Sequence, residues 1–191
     1  AMVLAYHSIL SAYGFWLPND PRGSWSDFVG SWDLFRYAPA SKTDARRSVA
    51  GMSHDAAARQ RTKDALAFLP GTWGSSEVQA IARGFAQACG ESAYRIHACA
   101  ILDEHVHLVI GRHGRDVRQI VGHLKGRATQ ALSKDGLLPA SGSPVWAARS
   151  WNVFVNTPEH LARAIAYVVA NPVKEGKAEQ HWDFVPPPDV P

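Results

Sequence analysis

The stretch Leu102-Asp-Glu-His105-Val106-His107-Leu108-Val109-Ile110 constrains the fold more than any other part of the chain. Its aliphatic run reads as a β-strand, where successive side chains point to opposite faces and residues two apart share one. His105 and His107 then aim two imidazoles at one point, while Val106 and Leu108 face the other way into a core. Two imidazoles converging from one strand suit a divalent metal, because neutral imidazole is the commonest protein nitrogen ligand. A His-x-His pair also arises where both rings are merely half-buried on a sheet face, so context has to decide.

The surroundings predict an α+β domain. Residues 2–13 read as a first strand, and residues 14–39, rich in Gly, Pro, Asp and Trp, as a long ordered loop. That loop holds Phe15, Trp16, Trp25, Phe28, Trp32, Phe35 and Tyr37, which are expected to bury themselves as a satellite core. A polar, alanine-rich helix is predicted from Ser53 to about Phe68. A second is predicted over residues 77–89, capped by Ser75 or Ser76 and closed by a left-handed Gly90. Residues 93–102 and 105–111 then form a hairpin around a turn at Asp103 and Glu104. Residues 116–134 carry Val117, Ile120, Val121, Leu124, Ala128, Ala131 and Leu132 at helical spacing. Residues 150–155 alternate as a further strand. Thr157-Pro158-Glu159 opens a last helix, expected to stop at Asn171 because Pro172 follows. Trp182 and Phe184 are expected to fold back. This order implies an antiparallel sheet of about four to five strands, backed by helices on one face.

Composition narrows the function classes. The chain of 191 residues is 46% hydrophobic and 19% charged, as a globular domain is. We read residues 2–185 as one domain with a loop-plus-helix insertion over 14–90, and residues 186–191 as a Pro-rich tail. Nothing approaches the roughly 18 consecutive apolar residues of a membrane span. No charged-then-apolar leader opens the chain, so the expected location is the cytoplasm. Cys89 and Cys99 form no CxxC pattern and are expected to be small core residues. The net charge of +3 permits a nucleic-acid partner without demanding one.

The last helix supplies a second group. Tyr167 and Asn171 are four apart and lie on one helical face. A phenol and a carboxamide side by side can serve as a nucleophile and a third metal ligand. A helical tyrosine is also ordinary core with a wet hydroxyl, and Asn before Pro an ordinary helix end.

Taken together, these motifs resemble the HUH-type single-tyrosine transposases, above all the REP-associated tyrosine transposases. The resemblance rests on Leu102-Asp-Glu-His105-Val-His107-Leu-Val-Ile110, on Leu124-Lys125-Gly126-Arg127, and on Trp146-Ala-Ala-Arg149-Ser-Trp151. It closes with Tyr167-x-x-x-Asn171-Pro172-Val173-Lys174-x-Gly176. These elements occur in the family's order over residues 93–176, and the first strand is also similar. The segment 14–90 is longer than the family's usual connection.

The resemblance implies a ferredoxin-like domain of the HUH endonuclease type that cuts single-stranded DNA beside a hairpin. Tyr167 would be the nucleophile, forming a 5′-phosphotyrosine and leaving a free 3′-hydroxyl. His105, His107 and Asn171 would hold Mg²⁺ or Mn²⁺, and a neutral donor set of this kind favours Mn²⁺. The implied setting is nucleoid-associated, as a monomer or as a homodimer that completes its site in trans. Arg118, Lys125, Arg127, Arg149 and Lys174 are candidates for phosphate contacts, each equally readable as a solvated helix or strand cation. Arg22 and Arg36, in the Trp-rich loop, could flank stacked bases. His7, His54, His97, His113, His123, His160 and His181 are given no role. Two other readings remain: a hairpin-binding regulatory protein that no longer cuts, and a metal-dependent hydrolase in which Tyr167 is structural.

Overall fold

The strand Ala5–Ala12 (β1) takes the centre of an antiparallel sheet in this computed structural model, which describes residues 2–24, 29, 31–43, 49, 51–140 and 142–187. Three further strands, Ile96–Ile101 (β2), His105–Gly111 (β3) and Trp146–Val155 (β4), complete the order β2-β3-β1-β4. Between strands run the helices Trp32–Phe35 (α1), Ala56–Asp64 (α2), Ser75–Ser92 (α3) and Val117–Lys134 (α4), and Pro158–Lys174 (α5) follows the sheet. With α3 and α4 as its two crossovers, the βαββαβ order makes the sheet ferredoxin-like.

Alternation along each strand divides the core in two. Leu10, Cys99, Ile101, Val106, Leu108 and Ile110 face α3 and α4, meeting Ile81, Phe85, Ile120 and Leu124. On the opposite face, Ala5, Ala98, Ala100, Val109 and Val155 meet Ala164 and Val168 of α5. Helices therefore cover both faces, and the expectation of one covered face holds only for α3 and α4. Small residues on β2, Ala98 and Ala100, let α5 lie close to the sheet. Trp182 and Phe184 do fold back, packing against the α3–α4 side. Cys89 and Cys99 are buried and free.

Several element ends differ from expectation. α2 starts only after Asp55, whose carboxylate accepts the Ala58 N–H. α3 starts after Gly74, runs through Gly90 and ends at Ala93, which takes the left-handed conformation at φ 52°. The extra turn carries Glu91 to Arg127 and His123 of α4, at 2.8 and 3.0 Å. α5 passes through Pro172 in its last turn, at the loss of the one backbone bond its N–H would have made to the Val168 carbonyl. The Asn171 carbonyl still accepts from Glu175, so Asn171 stays helical.

The satellite-core expectation for the Trp-rich segment fails at three positions. Trp32, Phe35 and Tyr37 are 78%, 44% and 41% exposed. Asp20 instead anchors this segment, buried and paired with Arg22 at 2.8 Å. The Arg22 and Arg36 guanidinium groups each lie over a neighbouring ring, Trp16 and Tyr37. Trp25 and Phe28 lie outside the described residues. Among the described residues no helix is long and apolar enough to cross a membrane.

Candidate active site

β3 presents His105 and His107 to the α5 side because the strand's period of two sets both against Val106 and Leu108. Their ring centroids are 4.9 Å apart. α5 crosses above β2 and β3 and brings its own row, Tyr167, Asn171 and Glu175, along this pair. The Tyr167 ring lies 5.5 Å from that of His107, and Glu175 Oε1 lies 3.8 Å from His105 Nε2. Asn171, between these two on the same helical row, is buried at 6% exposure.

A third imidazole joins from the central strand. His7 Nε2 is 3.1 Å from His107 Nδ1, and its ring centroid is 5.8 Å from that of Tyr167. β1 brings His7 here because Ile9 pairs with His107, so His7 is the diagonal neighbour on the same face. Phe15 stacks flat on His105 at 4.9 Å, closing the edge towards the insertion. A cleft beside His105 is bounded by Phe15, Trp73, Asp103, Glu104 and Glu175.

Burial sets the charge state of these rings. It pushes His105 down to about 4 and His7 to about 4, with His160 adding to the latter. His107 falls to about 2, through burial first and then the neighbouring His105 and His7. All three are neutral imidazoles at physiological pH, each with one unprotonated ring nitrogen. Burial also raises the Glu175 carboxyl, with Asp103 and Glu104 adding to it.

The donor set fits a divalent cation. His105 Nδ1 is buried without a hydrogen-bond partner, as is the Asn171 amide nitrogen, so the region holds polar groups the protein does not itself satisfy. Among the described residues no three side chains of His, Cys, Asp or Glu converge as ligands. A cation here would take a third protein ligand of another type, and Asn171, buried on the α5 row between Tyr167 and Glu175, carries a carboxamide whose oxygen could supply it.

Of the five candidate phosphate contacts, Lys174 stands at the site, its Nζ 5.1 Å from the Tyr167 ring centroid. Lys125 Nζ donates to the Ala147 carbonyl at 2.9 Å, and burial lowers it to about 8. Arg127 is tied to Glu91 and Gln130 on the opposite side of the sheet. Arg118, in the first turn of α4, and Arg149 on β4 are both exposed. Sequence reasoning missed His7, Glu175 and Phe15. Glu175 was within reach of the helical period, four residues past Asn171; His7 required the strand register.

Comparison with known structures follows this architecture. The REP-associated tyrosine transposase bound to a REP hairpin superposes with a TM-score of 0.50 at 14% identity, over 93% of this chain and 72% of that one. A crystal structure of a candidate transposase from Deinococcus radiodurans R1 matches at 0.41 and 14%, over 93% and 94%. No protein-family model and no curated protein sequence matches the chain. The chain has the fold of the REP-associated tyrosine transposases.

Proposed function

We propose that this protein is a single-strand DNA endonuclease and strand transferase of the REP-associated tyrosine transposase type. The observation that carries the reading is the half-exposed Tyr167 ring beside buried His107 and half-buried His7, with Asn171 one turn along the same helix. A phenol on a rigid helix, open on one side to solvent and flanked by neutral donors on the other, suits attack on a backbone phosphate.

In this reading the Tyr167 oxygen forms a bond to phosphorus, the bond to the 3′-oxygen breaks, and the phenolic proton is lost as the departing oxygen gains one. The product is a 5′-phosphotyrosine and a free 3′-hydroxyl, and reversal by another 3′-hydroxyl joins strands. A phenol is a weak nucleophile at neutral pH, so position and charge have to assist it. Lys174 supplies a cation beside the phenol for the scissile phosphate. His105, His107 and Asn171 would hold Mg²⁺ or Mn²⁺, which when bound withdraws charge from the phosphate's non-bridging oxygens. Ile9, Trp151 and Val153 extend the same sheet face beyond the histidines, a partly apolar shelf on which an unpaired strand can lie. The hairpin carried by the structurally similar transposase supports a hairpin-bearing single strand as the substrate.

The test is incubation with labelled single strands carrying a hairpin, with Mn²⁺ or with chelator, resolved on a denaturing gel. Cleavage and a slow-migrating adduct are expected with Mn²⁺, neither with chelator, and neither from Tyr167→Phe. Hairpin binding without any cleavage under all conditions would favour a purely regulatory protein.

A further inference from the structure

We infer that His7 is a positioning residue for His107: it accepts a hydrogen bond from His107 Nδ1–H and thereby presents Nε2 of His107 as the ligand atom. The inference rests on the reading of the site as a divalent-cation centre. His7 Nε2 and His107 Nδ1 are 3.1 Å apart in hydrogen-bonding geometry. Two nitrogens so aligned have a hydrogen of one aimed at the lone pair of the other. A hydrogen bond between them occupies both of these nitrogens.

His107 Nδ1 is thereby committed, and Nε2 is what remains. A neutral imidazole carries one ring proton, and a ligating nitrogen carries none, so the proton belongs on Nδ1 and His7 Nε2 is the acceptor. His7 as a third ligand would require three imidazoles aimed at one point, and no such triple converges among the described residues.

The arrangement is rigid from both sides. His7 sits on the central strand, paired with Val109 on one side and Val153 on the other. His107 is 4% exposed, so water does not replace the acceptor if His7 is lost. Partners of this kind fix the tautomer and ring plane of a ligating histidine, and their removal typically weakens metal binding 10–100-fold.

Two variants test it in the full chain. His7→Leu removes the acceptor, while His7→Gln places a carboxamide oxygen where Nε2 stood. Mn²⁺ titration followed by electron paramagnetic resonance should give His7→Leu a dissociation constant about 10–100-fold above the parent. His7→Gln should lie within a few-fold of the parent. Long-range nitrogen–proton spectra of the metal-free protein should show His107 protonated on Nδ1 in the parent and in His7→Gln. Electron spin-echo modulation of the Mn²⁺ form should count two imidazole nitrogens. Unchanged Mn²⁺ affinity in His7→Leu, a His107 proton on Nε2 in the parent, or a count of three imidazoles would each overturn the inference. A parent that binds no Mn²⁺ would remove the metal reading itself, and the nitrogen spectra would still decide whether His7 fixes His107.

Discussion

At the scale of single residues, the site is a set of neutral donors kept neutral by burial. His7, His105 and His107 all titrate below the ordinary imidazole value in the folded protein. The unfolded chain takes up protons first as pH falls through about 6.5, so stability present above that value is lost on the way down. Between about pH 6.5 and 5 ordinary carboxylates have hardly begun to titrate, so the histidines dominate this window, with the raised Glu175 carboxyl working against them. Urea melts of the metal-free protein should show a midpoint that falls as the pH is lowered from about 6.5 to 5. A midpoint flat to pH 5 would contradict the buried, neutral imidazoles. The cations separate in the same manner. Lys174→Met should reduce the slope of DNA affinity against salt by about one. Lys125→Met should leave that slope unchanged, because its ammonium already serves the β4 carbonyls.

At the scale of elements, the helices matter for where they hold these residues. At Gly84, α3 lies directly against the backbone of α4: a Cβ there would stand 2.4 Å from Ala128 Cα. Gly84→Ala must therefore push two helices apart, costing about 1–3 kcal/mol by overpacking. A thermal melt should fall by several degrees; an unchanged melting temperature would mean that α3 and α4 are not this close. The periods of strand and helix made much of this level legible in advance. The alternation through His105–Gly111 and the four-residue step from Tyr167 to Asn171 are local, and so each side-chain face could be read from spacing. Helix ends were harder. Gly90 and Pro172 look like stops, yet both helices continue past them, α3 with Glu91 bonded to α4 and α5 with Asn171 and Pro172 buried. His7 was illegible for a different reason. Its pairing with His107 depends on the β1–β3 register, a contact across a hundred residues that no local pattern encodes.

At the scale of the whole molecule, the sheet, α5 and the histidines bring every proposed catalytic group together within one chain. The sequence left open whether a second subunit supplies the tyrosine. The 5.5 Å between the His107 and Tyr167 rings of the same chain favours a self-contained site. Mixing Tyr167→Phe with His107→Ala should accordingly restore no cleavage, whereas a site completed in trans would recover it. The segment 14–90 is tied into this arrangement by Phe15, stacked on His105, and it leaves Trp32, Phe35 and Tyr37 facing solvent.

Peptide mapping of the protein after reaction with a hairpin-bearing single strand and Mn²⁺ puts the account to its most direct trial. The account predicts one nucleotide-modified peptide, with the 5′-phosphate on Tyr167. A covalent adduct at any other residue, or complete cleavage with Tyr167 unmodified throughout the time course, would contradict it.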